Sequence, residues 1–253
     1  MKNFHIQTVA LIALIFLAGC AKEKRKEHMT VDELSQQAFA CIKTKDYVTA
    51  ITHLEQIMMR FPDDQNIARY KILLAEAYFK EKSYTAAQEV YEHFNQFYPS
   101  DKRAEYSKYK SLLSMFHQTL PTDCDQTKTQ ETIELCKEYL ENQNFNRYRK
   151  DVTEKLAVCE SKLFDKELYI LNFYIKHGNY DAAHNRLKYI KGKFLATNKD
   201  LEARVLYHEC KLAQKEKKLD LVKQHLTTLQ ETYPTSPFTQ MAQGLTTHRP
   251  FIF

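Results

Sequence analysis

Cysteine and histidine are the residues of this chain best suited to covalent or metal chemistry, and the sequence holds six of the first and ten of the second. No two cysteines stand in a C-x-x-C arrangement, so neither a redox dithiol nor a zinc ribbon is indicated. His208 and Cys210 are the closest pair of soft metal ligands, yet residues two apart on a helix point in different directions. His177 and His184 flank a turn. We therefore expect no metal site, and histidines that lie on exposed helix surfaces.

The motifs of common enzyme classes are also missing from the sequence. It contains neither H-E-x-x-H nor G-x-S-x-G, and its four glycines disfavour a loop that could cradle phosphate. Acidic residues stand near lysines and arginines at spacings that favour salt bridges on polar helix faces. The sequence therefore predicts a non-enzymatic protein that uses no cofactor.

Cys20 differs from the other cysteines because it closes the only strongly apolar run near the start of the chain. The run from Val9 to Ala18 follows Lys2 and precedes the charged stretch AKEKRKEH. It is about half as long as the roughly 20 residues that a membrane-spanning helix requires. A cation, a short apolar core and small residues before a cleavage site are typical of a secretory signal.

The last four residues of this segment also resemble the bacterial lipobox. In Leu17-Ala18-Gly19-Cys20, cleavage would fall before the cysteine. The thiol would then carry diacylglycerol and the new amine would be acylated. We predict a lipid-bearing Cys20 on this basis. The alternative is an ordinary signal whose cleavage site happens to lie beside a cysteine.

If Cys20 carries lipid, an odd number of cysteines remains, which in an exported protein leaves at least one free thiol or an intermolecular bond. Cys41 and Cys210 fall at apolar helix positions, where cysteine acts as a small buried hydrophobe. Cys136 and Cys159 could face each other across a hairpin. Their offset along the helices is about 7 Å, which disfavours a disulfide. The remaining cysteines are Cys41, Cys124, Cys136, Cys159 and Cys210.

Composition and charge favour a helical protein that does not bind nucleic acid. The net charge is +5, and basic residues alternate with acidic ones instead of clustering. The sequence has only four glycines and six prolines, which are few for the loops and tight turns of a hairpin-rich fold, and it has no tryptophan. Helix-forming residues are abundant. The basic residues at 22, 24, 25 and 26 could touch anionic lipid headgroups. We interpret them as part of a solvated tether.

Four segments of the chain share one pattern of apolar residues, which indicates an internal repeat. The offsets of three and four residues place each set on one face of a helix. Pro62, Pro99 and Pro234 end three of the segments, and Leu195 stands in the place of a proline in the other. The sets are Tyr47, Ala50, Leu54 and Ile57; Tyr84, Ala87, Tyr91 and Phe94; Tyr180, Ala183, Leu187 and Ile190; and Leu219, Val222, Leu226 and Leu229.

A second helical pattern, here called helix A, precedes each of these segments, here called helix B. A helix pair that is closed by a proline resembles the tetratricopeptide repeat. The predicted fold class is therefore all-α, an α-solenoid of about five tetratricopeptide-like helical hairpins, an architecture that serves for protein binding. The predicted A helices run from Val31 to Lys43, Ile67 to Lys80, Lys166 to Lys176 and Leu201 to Lys215.

The middle of the chain is less regular than its two ends. Helices are predicted from Ala104 to Gln118 and from Gln130 to Glu141, with the loop TLPTDCD between them, and a long helix from Tyr148 to Phe164 follows. The predicted organisation is a signal peptide (1–19), a lipidated tether (20–30), repeats 1 and 2 (31–101), a divergent repeat 3 with a bridging helix (102–165), repeats 4 and 5 (166–237) and a tail (238–253). The tail ends in HRPFIF and is predicted to pack on the last repeat or to fray.

A lipobox that is followed directly by about five such repeats resembles the BamD family, the lipoprotein subunits of the β-barrel assembly machinery of the bacterial outer membrane. The resemblance covers nearly the whole chain, and its most specific segment is FYIKHGNYDAAHNRL, residues 173–187. In the family, the arginine at the place of Arg186 contacts the POTRA domain nearest the barrel of BamA. The resemblance therefore implies that Arg186, with its neighbour Asn185, docks on a BamA-like partner.

The resemblance also implies where such a protein acts and with whom. It would be a scaffold held by lipid on the periplasmic face of the outer membrane, where it receives unfolded outer-membrane proteins beside other lipoproteins of the machinery. Two features depart from the family pattern, namely DDQN after RFP and Leu195 in place of a proline. The alternative is a repeat lipoprotein that serves cell-wall or cell-division complexes.

Aromatic and cationic side chains occupy the helix A positions that face the predicted groove of repeats 1 and 2. Such a surface suits a peptide that ends in an aromatic residue and a carboxylate. We predict it as the site for the C-terminal strand of an unfolded outer-membrane protein, although Phe39 and Phe79 could instead belong to the core between repeats. The candidate groove residues are Phe39, Lys43, Arg69, Phe79 and Lys80.

Overall fold

Residues 29–195 and 198–247 are described by a computed structural model, and the predicted signal peptide and Cys20 lie outside them. The described residues form eleven α-helices and no β-strand, which confirms the predicted all-α class of helical hairpins. None of these helices is both long enough and apolar enough to cross a bilayer. The helices are α1 (Val31–Lys43), α2 (Tyr47–Arg60), α3 (Ile67–Lys80), α4 (Tyr84–Phe97), α5 (Ala104–His117), α6 (Thr127–Glu141), α7 (Arg149–Lys176), α8 (Tyr180–Ile190), α9 (Glu202–Lys215), α10 (Leu219–Thr232) and α11 (Pro237–Thr247).

The helices pack into two compact units, each with its own apolar interior. Among the described residues, unit 1 comprises 29–118 and 138–149, and unit 2 comprises 119–137, 150–195 and 198–247. In both units the interior consists of the apolar faces of successive hairpins. The core of unit 1 includes Leu34, Leu54, Ile57, Leu74, Ala87, Tyr91 and Phe94, and that of unit 2 includes Phe164, Leu171, Ala183, Ile190, Val205 and Leu212.

The four B helices begin at the residues that the repeat pattern predicts, Tyr47, Tyr84, Tyr180 and Leu219. The small residue three positions later lies where helix B meets its helix A. Ala50, Ala87 and Ala183 are 0% exposed and Val222 is 3% exposed, so no larger side chain has room there. The pattern of large and small residues therefore sets how closely the two helices of a hairpin approach.

All four hairpin turns use the same backbone geometry. The residue two positions before each B helix has a positive φ, 63° at Lys45, 61° at Lys82, 72° at Gly178 and 62° at Lys217. The next backbone N–H then bonds a carbonyl five residues back, as in Asn179 to Tyr174 at 3.0 Å. This is the Schellman arrangement that satisfies the last carbonyls of a helix. The shared turn is an independent sign that the four hairpins are copies of one unit.

Gly178→Ala is expected to lower the free energy of unfolding by about 1 kcal/mol, because an L side chain resists positive φ. An added Cβ there would meet no atom within 4 Å, so the effect would come from the backbone alone. Gly244→Ala in α11 is the matched control, since its Cβ also meets nothing. That substitution should raise stability by up to about 1 kcal/mol, because alanine favours a helix over glycine. Chemical denaturation followed by circular dichroism measures both. Equal effects of the two substitutions would refute this account of the turn.

Three elements differ from the sequence expectation, each for a local reason. The bridging helix and the fourth A helix form one continuous helix, α7, because apolar residues continue through Phe164, Leu168 and Leu171 and no proline or glycine interrupts them. Without a proline, the chain after α8 continues as a π-helical turn, Lys191–Leu195. Part of the expected tail forms α11, which starts at a proline and buries Ala242 in unit 2.

The five described cysteines are all free thiols. Cys136 and Cys159 are completely buried in unit 2, and burial raises their pKa values to about 12 and about 11. Cys210 is also buried, and burial raises its pKa to about 11. Because the thiolate is the reactive form, these three side chains act as apolar packing groups.

Candidate docking surfaces

Arg186 lies on α8 of unit 2, where a carboxylate of the same unit holds its side chain. Its Nη1 is 2.7 Å from Oε2 of Glu167 on α7, and the two side chains are 28% and 15% exposed. The guanidinium also lies 5.6 Å from the ring centre of Tyr189, one turn further along α8. Arg186 is therefore fixed in position, and part of its donor surface still faces solvent.

Arg186 and Asn185, the two predicted docking residues of unit 2, line one shallow depression. Its volume is about 370 Å³, and Tyr174, Ala182 and Tyr189 complete its lining. Tyr189 is 44% exposed. Tyrosine and arginine are the residues most often found as energetic anchors of protein interfaces. The docking role of Arg186 and Asn185 stays a prediction, with which this lining is compatible.

Further exposed aromatic side chains lie on α7. Phe173 is 52% exposed and contacts Tyr174 edge to face, with the ring centres 5.9 Å apart. Tyr169, one turn before Phe173, is 53% exposed. Large aromatic residues that stay exposed beside a charged anchor commonly mark a surface that another protein covers. Glu167, Tyr174 and Tyr189 are members of this surface that the sequence reasoning did not identify, because they join Arg186 only through the packing of α7 on α8.

The two predicted groove aromatics of unit 1, Phe39 and Phe79, each lie against a cation, and only the first of these cations, Arg69, is itself a predicted groove residue. The Arg69 guanidinium carbon lies 4.9 Å from the ring centre of Phe39, and Lys110 Nζ lies 3.3 Å from that of Phe79. Both rings are partly buried and pack against core clusters of unit 1. Each ring thus packs against the core on one side and also contacts a cation. Lys43 and Lys80 are exposed, and the groove role of all five residues stays a prediction.

Lys110 is a member of this surface that the sequence reasoning missed. It occupies an apolar-facing position of α5 and is only 8% exposed. A lysine in a helix pattern is ordinarily assigned to the solvent face, and no local signal marks this one as buried. Only the packing of α3, α4 and α5 against one another shows that it points inward.

A group of acid–base side chains lies in unit 2, around a cavity of about 360 Å³ lined partly by His184, Glu209, Glu216 and His225. Its carboxylates are already in ion pairs. Burial raises the pKa of Glu216, but the contacts of its carboxylate with Lys218 at 2.8 Å and His184 at 3.0 Å outweigh burial, so that its pKa is lowered. No serine or cysteine lines this cavity. In the part of the chain that the structure describes, no three His, Cys, Asp or Glu side chains could jointly hold a metal ion.

Comparison with known proteins gives one consistent result. A sequence model of the YfiO family, described as outer membrane lipoprotein, matches residues 27–203. A protein from Neisseria gonorrhoeae named outer membrane protein assembly factor BamD is 25% identical over 225 residues, which cover 83% of this chain and 81% of that protein. A protein of the same name from Rickettsia prowazekii (strain Madrid E) is 22% identical over 247 residues, 97% of this chain and 98% of that protein.

These matches confirm the resemblance to the BamD family that the lipobox and the repeats predict. The family model covers both units in part, and the relatives extend over most of the chain. The chain therefore belongs to the YfiO family of outer membrane lipoproteins.

Proposed function

We propose that this chain is a non-enzymatic scaffold of the machinery that assembles β-barrel proteins in the outer membrane. The observation that carries the proposal is its similarity to relatives named outer membrane protein assembly factor BamD, one of which matches 97% of the chain. An all-α fold of helical hairpins agrees with this function, because such repeats bind other proteins through extended surfaces.

The absence of catalysis in this proposal is supported by the chemistry of the described residues. The two carboxylates that line the 360 Å³ cavity of unit 2, Glu209 and Glu216, are paired with Lys191 and Lys218. The buried thiols have raised pKa values, which disfavours nucleophilic attack. The protein would therefore act by holding partners in position.

In the proposed arrangement, each unit has one partner. The Arg186 depression of unit 2 docks on a POTRA domain of a BamA-like barrel protein. The surface of unit 1 that contains the Phe39–Arg69 and Phe79–Lys110 pairs receives the C-terminal strand of an unfolded outer-membrane protein. Other lipoproteins of the machinery join the complex, and the function is to bring substrate and insertase together at the membrane.

The lipid anchor belongs to this proposal as well. Several acyl chains on Cys20 would hold the protein durably on the periplasmic face of the outer membrane, whereas one chain binds only weakly. Cys20→Ser should move the protein from the membrane fraction to the soluble fraction, or leave its signal uncut, with no change in folding. Cys124→Ser, at an exposed cysteine, is the matched control and should remain with the membrane. A normally processed, membrane-bound Cys20→Ser protein would contradict the anchor.

Co-purification tests the function itself. The tagged protein should be extracted in mild detergent from membranes of the bacterium that encodes it, and its partners identified by mass spectrometry. We expect a large β-barrel protein that carries POTRA domains. Recovery of cell-wall or cell-division proteins without such a barrel would overturn the proposal in favour of a scaffold for those complexes.

A further inference from the structure

Two strongly exposed apolar side chains lie at the same edge of unit 1. Met59 is 76% exposed and Phe97 is 64% exposed, the highest values among the large apolar residues described in this unit. They stand in the last turns of α2 and α4, the B helices of the first two hairpins. Because α3 packs against both helices, their C-terminal ends lie beside its start. We call this side of unit 1, where α2 and α4 end and α3 begins, the linker edge.

Aromatic rings and cations lie together at the linker edge. The guanidinium carbon of Arg60 is 5.1 Å from the ring centre of Phe61. Lys71 Nζ, near the start of α3, is 4.8 Å from the ring centre of Phe97 and 5.4 Å from that of Tyr98. Phe61 and Tyr98 are half-buried. Aromatic rings beside lysine and arginine are typical of protein surfaces at the boundary of a bilayer, where rings lie at headgroup depth and long cationic side chains reach water.

The acidic side chains of the linker edge balance part of this positive charge. Asp101 is paired with Arg103 at 2.8 Å. Asp64 Oδ1 accepts a hydrogen bond from the backbone N–H of Asn66 at 2.7 Å, and Asp63 is exposed. Such a mixture of charges gives little attraction to anionic lipid headgroups. A contact between this edge and a membrane would therefore depend on burial of the apolar side chains.

The position of the lipid anchor selects the bilayer as the partner of this edge. The described chain starts at Met29, whose backbone carbonyl accepts a hydrogen bond from Nη2 of Arg60, 2.9 Å away. Cys20 precedes Met29 by nine residues, which span at most about 30 Å. The start of α2, at the opposite edge of unit 1, lies about 20 Å further away along that helix. A lipid on Cys20 is therefore connected to unit 1 at the linker edge.

We propose that the linker edge of unit 1 lies on the surface of the lipid bilayer, with the side chains of Met59 and Phe97 inserted among the lipids. The inference rests on the lipid anchor of the proposed function, and it adds which side of the first unit faces the membrane. Phe61 and Tyr98 lie at the depth of the headgroups. Apolar insertion holds the contact, so the contact does not require anionic lipid.

A single introduced tryptophan tests this orientation, because the chain contains none and the added indole reports its own surroundings. The lipid-bearing protein with Phe97→Trp is reconstituted into phosphatidylcholine vesicles whose acyl chains are, or are not, brominated near the headgroups. Insertion to about 5–10 Å, the depth typical of interfacial side chains, should shift the emission to shorter wavelength and let bromine lower it about twofold or more. Met59→Trp should respond in the same way.

Val48→Trp is the matched control. Val48 is 62% exposed, about as open to solvent as Phe97, but it lies in the first turn of α2 at the opposite edge. Its emission should stay that of an exposed indole and should not respond to bromine. Circular dichroism should show each variant to be as helical as the wild type. Addition of anionic phosphatidylglycerol should leave the quenching of Phe97→Trp unchanged.

The remaining outcomes separate this inference from the anchor that it rests on. An unquenched Phe97→Trp protein that stays on the vesicles would overturn the inference while the anchor stands, and so would equal quenching of Val48→Trp. Quenching that requires phosphatidylglycerol would contradict apolar insertion. An emission shift in native membranes, but not in vesicles of lipid alone, would assign the edge to a protein partner instead. Failure of the wild type to stay on the vesicles would overturn the anchor together with this inference.

Discussion

Acidification from pH 7 to about pH 5 is expected to lower the free energy of unfolding by about 2 kcal/mol through His208 alone. His208 lies on α9 and is 7% exposed, so the expectation of exposed histidines is wrong for this residue, and its Nδ1 has no hydrogen-bond partner among the described residues. Burial, together with the nearby cations Lys211 and Arg204, lowers its pKa from 6.5 to about 3. The folded protein therefore keeps this ring neutral in a range where the unfolded chain would protonate it.

The sign follows from the two protonation equilibria. Above pH 6.5 the ring is neutral in both states and the group has no effect on stability. As the pH falls below 6.5 toward 3, only the unfolded chain gains the proton. Each pH unit in that window then costs about 1.4 kcal/mol of stability. The full loss is reached only near the folded pKa.

Nuclear magnetic resonance and denaturation together check this expectation. The His208 ring signals should not titrate between pH 7 and about pH 4.5, and His208→Leu should lose about 2 kcal/mol less stability than the wild type over the same acid step. His93→Gln, at an exposed position on α4, is the control and should retain the dependence on pH of the wild type. Titration of His208 near its ordinary value would show that α9 is not packed as described.

If the Arg186 depression docks as proposed, Arg186→Glu should weaken binding to the POTRA domain nearest the barrel of a BamA-like protein by about 30-fold or more, the loss typical of an interface anchor. The substitution removes the guanidinium from the depression and places a second carboxylate beside Glu167, which is 2.7 Å from Arg186 in the folded protein. Calorimetric titration with the isolated POTRA domain measures the change.

Two further variants show whether Arg186 acts by contact. Arg204→Glu breaks a similar ion pair to α7, in which Arg204 lies 2.6 Å from Asp165 and is 31% exposed, and it should leave docking unchanged. Glu167→Gln frees the Arg186 side chain, so it should keep or strengthen binding if the guanidinium meets the partner. If Glu167→Gln weakened binding as much as Arg186→Glu, the arginine would serve only to hold the two helices together.

The repeats could be located from the sequence because each one repeats a local rule. Apolar spacing gave the face of every B helix, and the small residue at Ala50, Ala87 and Ala183 fixed where two helices touch. The bounds of α1 and α3 agree with the pattern at both ends. The periodic spacing of apolar residues involves only residues that are near one another in the sequence, so it can be recognised from a single sequence.

The elements and residues that the sequence did not reveal depend on contacts between distant segments. The bridging helix continues into the fourth A helix as α7 because no proline or glycine separates them. The absence of such a residue gives no positive signal in the sequence. The partners Glu167 and Arg186 stand 19 residues apart. Lys110 is indistinguishable in sequence from a solvent-facing lysine until α3 packs against it. The candidate sites were therefore only partly predictable, although the fold that holds them was.

Depletion of the protein in the bacterium that encodes it is the most direct test of the proposed role. The quantity to measure is the amount of folded β-barrel protein in the outer membrane, read from its heat-dependent mobility on gels, after synthesis of this chain is switched off. We expect folded barrels to fall and unfolded precursors to accumulate, and we expect the wild-type chain to restore the folded barrels. Unchanged levels of folded barrels in depleted cells, with a defect confined to the cell wall or to division, would contradict this role.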